Sequence, residues 1–142
     1  MIINSKSSED TVKEGEKYAS RINPGDVLGL DGELGTGKTR FVKGICNYFK
    51  VREVVNSPTF IIVNEYSGFW IDGSEIKIYH FDLYRLKTPG ELGTIGFDEY
   101  INGRSIVIIE WPKMAEEYLG KSLKKVKFSH GNEENERKIE LN

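Results

Sequence analysis

Eight consecutive residues in the first third of the chain have the types and spacing that bind phosphate. Residues 32–39 read Gly-Glu-Leu-Gly-Thr-Gly-Lys-Thr and match the pattern G-x-x-x-x-G-K-[ST] at every fixed position. The glycines let the backbone turn tightly and direct its N–H groups inward, as a nest for phosphate oxygens. Lys38 supplies a positive charge for the β- and γ-phosphates, and the Thr39 hydroxyl is placed to ligate Mg²⁺. The pattern therefore predicts a nucleotide site. The loop residues predicted to bind the cofactor are Leu34, Gly35, Thr36, Gly37, Lys38 and Thr39.

Two acidic residues at the ends of predicted strands are the candidates for catalysis. An enzyme with this loop needs a carboxylate near Mg²⁺ or near the attacking nucleophile, usually at the carboxyl end of a neighbouring strand. Glu110 follows four branched apolar residues, and Asp82 ends another strand pattern. A carboxylate can bind a hard cation, or it can orient or deprotonate a water. From the pattern alone, either residue could instead cap a strand or pair with Arg85. We interpret both as functional.

A hydroxyl downstream of the loop is a third candidate. Pro58 keeps Ser57 out of the helical region, so this stretch is extended. Thr59 on such a segment could sense Mg²⁺ or the γ-phosphate, as switch loops do, although a threonine at the start of a strand fits the pattern equally well. His80 lies near Asp82, but the chain has only two histidines, so we do not expect a histidine metal site.

The elements around these residues indicate the fold class. Val27–Leu30 is a short apolar strand that leads into the loop, and apolar residues recur at helical spacing from Phe41 to Phe49. Asp72-Gly73 favours a hairpin turn between strands at 61–66 and 76–82. The continuous apolar run before Glu110 is typical of a central parallel strand. We predict an α/β fold of the P-loop NTPase type, with a mixed sheet (a parallel core with antiparallel hairpins) flanked by helices in three layers.

The remaining segments have weaker signals. We expect an edge strand at residues 1–4 and a helix that Ser7 caps and that ends near Ile22. Thr88 is expected to cap another helix, with Pro89 at its first position. A short helix at 114–119 and a C-terminal hairpin complete the prediction.

Composition limits the class of protein. The chain has 142 residues, which suggests a single domain over 1–142. Its net charge of −2 gives no global basic field for nucleic acid. Cys46 is the only cysteine, and its place on the apolar helix face predicts a buried thiol. The first residues lack the apolar core of a signal peptide, and no apolar run is long enough to span a membrane. We therefore expect a cytoplasmic protein.

Four motifs in order resemble the TsaE family, formerly called YjeE. They are the loop at 32–39, Ser-Pro-Thr-Phe at 57–60, His-Phe-Asp-Leu-Tyr-Arg at 80–85, and Glu-Trp-Pro at 110–112. The similarity runs from about Ser7 to the C-terminus. Members of the family are small bacterial ATPases of tRNA threonylcarbamoyladenosine biosynthesis, which modifies an adenosine beside the anticodon. The resemblance implies that ATP and Mg²⁺ are the cofactors. It also implies that the TsaB and TsaD proteins are the partners, that hydrolysis resets the TsaB–TsaD pair, and that tRNA is reached through that complex.

The resemblance also implies roles for individual residues. Lys38 contacts the phosphates, while Thr39 and Glu110 hold Mg²⁺. Further residues match family positions at the nucleotide, and these are Asp82 and Thr59 near the γ-phosphate, Trp111 in the site wall, Thr11, and Arg137. From the helix pattern alone, Thr11 is expected to be an exposed or capping hydroxyl.

Two other functions remain open at this point. One is a small-molecule kinase in which Arg85 helps to clamp the phosphoryl group. The other is a nucleotide-gated binding module whose own turnover is incidental. A GTPase is disfavoured because the sequence has no Asn-Lys-x-Asp motif for reading guanine.

Overall fold

The computed structural model of the protein describes residues 1–58 and 62–141, and these form one seven-stranded sheet with helices on both faces. The strands are β1 (Ile2–Ser5), β2 (Val27–Asp31), β3 (Val63–Phe69), β4 (Glu75–Asp82), β5 (Ile106–Glu110), β6 (Leu123–His130) and β7 (Arg137–Leu141). The helices are α1 (Ser8–Ala19), α2 (Lys38–Tyr48), α3 (Glu91–Thr94), α4 (Phe97–Tyr100) and α5 (Lys113–Leu119), with a 3₁₀ turn at Gly120–Ser122.

The sheet has a parallel core and antiparallel margins. The strand order is β1-β7-β6-β2-β5-β4-β3. The neighbours β6, β2, β5 and β4 run parallel, whereas β3, β7 and β1 are added antiparallel. Every residue of β5 is buried, as a continuous apolar run inside a parallel sheet requires. The predicted mixed sheet is confirmed.

Alternation along β5 explains the three layers. Ile106 and Ile108 join an apolar cluster with α1 and α2 on one face of the sheet. Val107 and Ile109 point to the other face and join a second cluster with α3, α4 and α5. Because successive strand residues face opposite sides, one strand of consecutive apolar residues supplies both cores. Cys46 lies in the first cluster and is buried, as predicted.

Some boundaries differ from the predicted ones. Ser7 caps α1 by accepting a hydrogen bond from the Asp10 N–H at 3.0 Å, as expected, but the α-helix ends at Ala19 and not near Ile22. The N–H of Ile22 bonds to the Ala19 carbonyl three residues earlier, so the chain continues past the α-helix as a turn of the 3₁₀ type. Strand β3 runs from Val63 to Phe69, later than the predicted 61–66, of which residue 61 lies outside the described part.

The predicted cap at Thr88 is wrong. The structure has Gly90 as the residue preceding α3, which begins at Glu91. The N–H groups of Glu91 and Leu92 bond to the carbonyls of Thr88 and Pro89, three residues earlier in each case. This stretch therefore forms turns of the 3₁₀ type before the short helix starts. The Glu91 carboxylate does reach back, but it accepts from the Lys87 N–H at 3.2 Å.

No helix in the described ranges is long and apolar enough to cross a membrane.

Candidate functional site

The glycine loop lies between β2 and α2, with its last glycine as the cap of the helix. Gly37 has φ +96°, a left-handed conformation that side chains with a Cβ rarely adopt. Helix α2 starts directly at Lys38, so its first N–H groups face the loop. The N-terminus of a helix together with such a loop favours an anion, because unpaired N–H groups and the helix dipole point toward it. The predicted strand, loop and helix are confirmed.

Lys38 lies on the floor of the site. Its ammonium donates to the Gly32 carbonyl at 2.5 Å and lies 3.5 Å from the centre of the Trp111 ring. The side chain is buried, and this burial lowers the pKa of Lys38 below its ordinary value. The negative charge of Glu110, and more weakly that of Asp82, acts in the opposite direction. The lysine is therefore a desolvated cation that contacts a carbonyl and an aromatic face and is influenced by the negative charge of nearby acids.

Trp111 is placed by an unusual backbone conformation at the end of β5. Its φ is +58°, which is rare for a bulky residue and is a form of local strain. The ring stacks at a tilt on Tyr84, with 4.9 Å between centroids, and covers Lys38. This conformation gives the site an aromatic wall, as the family resemblance implies.

Asp82 and Glu110 meet because their strands are in register. They are paired residues at the carboxyl ends of the parallel strands β4 and β5, and both are buried. Glu110 accepts from the Thr39 hydroxyl at 3.1 Å, while Asp82 accepts from the Ser57 hydroxyl at 2.9 Å and from the Tyr84 N–H at 2.9 Å. The structure thus brings both predicted acids to the edge of the sheet where the glycine loop begins.

The cavity between these groups has a volume of about 550 Å³. Ten of the predicted site residues line it, and these are Thr11, Leu34, Gly35, Gly37, Lys38, Thr39, Asp82, Glu110, Trp111 and Arg137. The sequence reasoning did not assign six other lining residues to the site, namely Ser7, Ser8, Arg40, Ser57, Tyr84 and Asn135.

Among the predicted site residues that the structure describes, Thr36 does not line the cavity. The Thr36 side chain is buried and donates to the Glu33 carbonyl at 2.6 Å, so its hydroxyl stabilises the loop from within. Thr59 lies outside the described residues, and its role stays a prediction.

Thr11 corrects the expectation from the helix pattern. Its side chain is buried and not exposed, and its hydroxyl lies 2.7 Å from that of Ser5. A Cβ at Gly37 would lie 3.2 Å from the Thr11 methyl, which shows how closely the start of α1 approaches the glycine loop. The prediction from the pattern was wrong because this burial comes from tertiary packing.

Arg137 links the C-terminal hairpin to the glycine loop. Its Nε donates to the Gly35 carbonyl at 2.9 Å. One terminal nitrogen donates to the carbonyls of Glu134 and Glu136, each at 2.8 Å. The guanidinium thereby holds the loop between β6 and β7 beside the cavity.

His80 is the main polar residue at the site whose role the sequence reasoning missed. It is fully buried, and its Nε2 lies 2.6 Å from the Glu110 carboxylate. Alternation along β4 carried a signal, because His80 shares a face with the buried Ile76 and Ile78. A histidine at a core position requires a polar partner, and Glu110 provides it.

The donor set fits a nucleotide with a magnesium ion. Mg²⁺ is usually held by one or two protein oxygens together with substrate phosphates and waters, and Thr39 and Glu110 offer such a pair at the start of α2. The backbone of the glycine loop and the Lys38 ammonium are donors suited to phosphate. The arrangement has the groups for binding a phosphorylated ligand and, in Asp82, a further carboxylate for its reaction.

Comparison with known proteins adds the family. A profile described as threonylcarbamoyl adenosine biosynthesis protein TsaE matches residues 5–139. The tRNA threonylcarbamoyladenosine biosynthesis protein TsaE of Bacillus subtilis is 40% identical over 111 residues, which cover 78% of this chain and 66% of the relative. The protein of the same name from Rickettsia conorii is 39% identical over 114 residues, covering 80% of this chain and 62% of the relative. The chain therefore spans slightly less than two thirds of the length of these relatives.

A solved structure supports the same assignment. The crystal structure of YdiB from Bacillus subtilis superposes with a TM-score of 0.76 at 30% identity, covering 98% of this chain and 82% of that one. The similarity thus extends from the sequence to the whole fold. On the profile match and these relatives, the chain belongs to the TsaE family of tRNA threonylcarbamoyladenosine biosynthesis proteins.

Proposed function

We propose that the protein binds ATP with Mg²⁺ in the cavity and hydrolyses it. The observation that carries this proposal is the contact of 3.1 Å between the Thr39 hydroxyl and the buried Glu110 carboxylate, beside the glycine loop and the Lys38 ammonium. A hydroxyl at the start of the helix paired with an acid at the end of a neighbouring strand is how P-loop enzymes hold magnesium. We assign Thr39 and Glu110 as the metal ligands.

Lys38 and the loop backbone are the phosphate-binding groups in this proposal. The ammonium is already desolvated, so its charge interacts more strongly with phosphate than an exposed lysine would. Thr39 and Glu110 would hold magnesium, which would supply positive charge to balance the negative charge of the phosphates. Leu34, Gly35, Gly37, Thr11, Trp111 and Arg137 complete the binding surface, and Thr36 supports the loop.

We assign Asp82 to the water that attacks the γ-phosphate. Its two oxygens accept from Ser57 and from the Tyr84 N–H, which fixes the carboxylate plane at the cavity edge. A carboxylate held in this way keeps further lone pairs for orienting a water and accepting its proton. Thr59, which follows Ser57 closely in sequence, is proposed to act near the same phosphate.

Family membership is the basis for the proposed biological purpose of ATP hydrolysis. We propose that the protein acts in the cytoplasm on the TsaB–TsaD pair, that hydrolysis resets this pair between rounds, and that tRNA is reached only through the complex. The support is membership of a family whose relatives are named for this biosynthesis.

The test is ATP turnover with Mg²⁺, measured with the protein alone and with TsaB, TsaD and tRNA. We expect slow turnover alone, faster turnover with the partners, and loss of turnover in Lys38→Ala. A matched control is Lys43→Ala, which removes an exposed lysine from the same helix. Failure to bind ATP, or turnover in Lys38→Ala as fast as in the parent, would contradict the proposal. Transfer of the γ-phosphate to a metabolite would instead support the kinase, and normal tRNA modification without hydrolysis would support the binding module.

A further inference from the structure

A buried chain of polar contacts leads away from the cavity behind Glu110. The Glu110 carboxylate lies 2.6 Å from Nε2 of His80, and Nδ1 of the same ring lies 3.1 Å from the Tyr66 hydroxyl. His80 has no exposed surface, and Tyr66 is only 2% exposed. Such contacts are strong in a desolvated interior, and a group that loses its partner there is costly.

This chain ends on the backbone of the segment that precedes β3. The Tyr66 hydroxyl lies 3.2 Å from the Asn56 carbonyl. The Asn64 amide donates to the same carbonyl at 3.0 Å and approaches the Tyr66 hydroxyl at 3.4 Å. Asn56 is therefore connected to Glu110 through the side chains of Asn64, Tyr66 and His80.

The next residue carries a second connection to the site. The Ser57 hydroxyl donates to Asp82 at 2.9 Å. Two consecutive residues thus connect to the two acids of the cavity. Ser57 contacts Asp82 directly, and Asn56 reaches Glu110 through Asn64, Tyr66 and His80. A shift of this segment would be felt at both carboxylates.

The donors and acceptors define one arrangement for a neutral imidazole. A carboxylate only accepts, so Nε2–H of His80 donates to Glu110 and Nδ1 is left as an acceptor. The Tyr66 hydroxyl then donates its one proton to Nδ1, and the Asn64 amide, which donates both to the Tyr66 hydroxyl and to the Asn56 carbonyl, connects the two. Burial raises the pKa of Tyr66, which keeps this hydroxyl protonated as a donor.

From this geometry we infer that His80 and Tyr66 are positioning residues of the site: His80 holds the Glu110 carboxylate toward Thr39, and Tyr66 couples that carboxylate to the segment at Asn56 and Ser57. The inference rests on the proposed ATPase function only for its kinetic consequence. Its structural part, the orientation of His80 by Tyr66, concerns the protein without any ligand. Groups that orient a metal ligand typically change metal affinity or activity about 10–100-fold when they are removed.

The structural part is tested by nuclear magnetic resonance of the protein labelled with ¹⁵N-histidine. The chain has two histidines, so His130, which is exposed, serves as an internal reference. We expect His80 to carry its proton on Nε2, and Tyr66→Phe to move the Nδ1 resonance of His80 while leaving that of His130 in place. The control is Tyr79→Phe on β4, the strand of His80. The Tyr79 ring packs on Tyr100 on the other face of the sheet. Unchanged His80 resonances in Tyr66→Phe, or a proton on Nδ1, would overturn the inference.

The kinetic part compares two substitutions of His80. His80→Gln keeps an N–H donor near the position of Nε2, whereas His80→Leu has none. For His80→Leu we expect about a 10–100-fold rise in the Mg²⁺ concentration that gives half-maximal turnover, or a fall of similar size in kcat. We expect His80→Gln to recover most of this loss. Metal-free ATP binding, followed by calorimetry, should change much less, because His80 contacts Glu110 and not the glycine loop.

Different results would contradict the proposed ATPase function and the positioning roles of His80 and Tyr66. A parent protein that binds ATP but does not turn it over would contradict the proposed function, and the resonance experiment would still decide the role of Tyr66. Equal losses in His80→Gln and His80→Leu, in variants that melt near the parent temperature, would overturn the positioning role of His80.

Discussion

The glycine-loop wall of the cavity comes from eight consecutive residues, 32–39, whereas the acidic wall is assembled from separate segments at Ser57, Asp82 and Glu110. The first wall is mainly backbone, fixed by its own turns and by the start of α2. The second consists of side chains whose positions depend on the register of β4 with β5. This difference suggests a division of work, with the glycine-loop wall for binding and the acidic wall for reaction.

Substitution of Asp82, the acid that we propose directs the attacking water, should separate the two walls most strongly. Asp82→Asn keeps the shape of the side chain but removes the charge that would accept a proton. We expect kcat to fall about 10²-fold or more, with an ATP dissociation constant near that of the parent. Single-turnover kinetics and calorimetry measure the two quantities. Glu117→Gln, an exposed acid on α5, is the control, and an equal loss of affinity and kcat in Asp82→Asn would show that the walls are not separate.

The glycine-loop wall should respond to alkaline pH through Lys38. Because burial lowers the pKa of Lys38, its charge is lost at a pH below the ordinary lysine range. We expect kcat/KM to fall about tenfold per pH unit above that value. The unfolded chain binds more protons between the lowered and the ordinary pKa, so this residue makes the fold relatively more stable as the pH rises through that window. A decline that occurs only together with thermal destabilisation would contradict this origin.

Arg137→Ala should have the smallest effect, because it removes a support of the glycine loop and leaves the loop itself intact. The hydrogen bond to the Gly35 carbonyl contributes roughly 0.5–1.5 kcal/mol, which corresponds to a rise of about 2–13-fold in the KM for ATP. The comparison variant is Lys138→Ala, the next residue on β7. A change in kcat with an unaltered KM would place Arg137 with the acidic wall instead.

The two walls also differ in how far the sequence reveals them. Residues 32–39 form a local pattern with a fixed backbone conformation, so the loop, its strand and its helix could be predicted directly. The parallel core was also predictable, because the run from Ile106 to Ile109 is apolar on both faces of the strand. Placing Asp82 and Glu110 at strand ends needed the fold class as well, since it is the parallel register that brings them together.

Features that depend on packing between distant segments were not predictable. The burial of Thr11 comes from the approach of α1 to Gly37, and the contact of His80 with Glu110 requires two strands in register. The capping rule for helix starts also failed at Thr88, where the capping pattern precedes only turns of the 3₁₀ type and a four-residue helix. Thr59 stays a prediction, since it lies outside the described residues.

The division between the two walls is tested most directly by Glu110→Gln, measured for both ATP binding and phosphate release in the presence of Mg²⁺. Glu110 contacts Thr39 of the glycine-loop wall and His80 behind the acidic wall. It therefore connects the wall proposed for binding with the wall proposed for reaction. We predict that the variant still binds ATP through Lys38 and the loop but releases phosphate at least about 10²-fold more slowly. Phosphate release at the parent rate, from a folded variant with parent-like ATP binding, would contradict it.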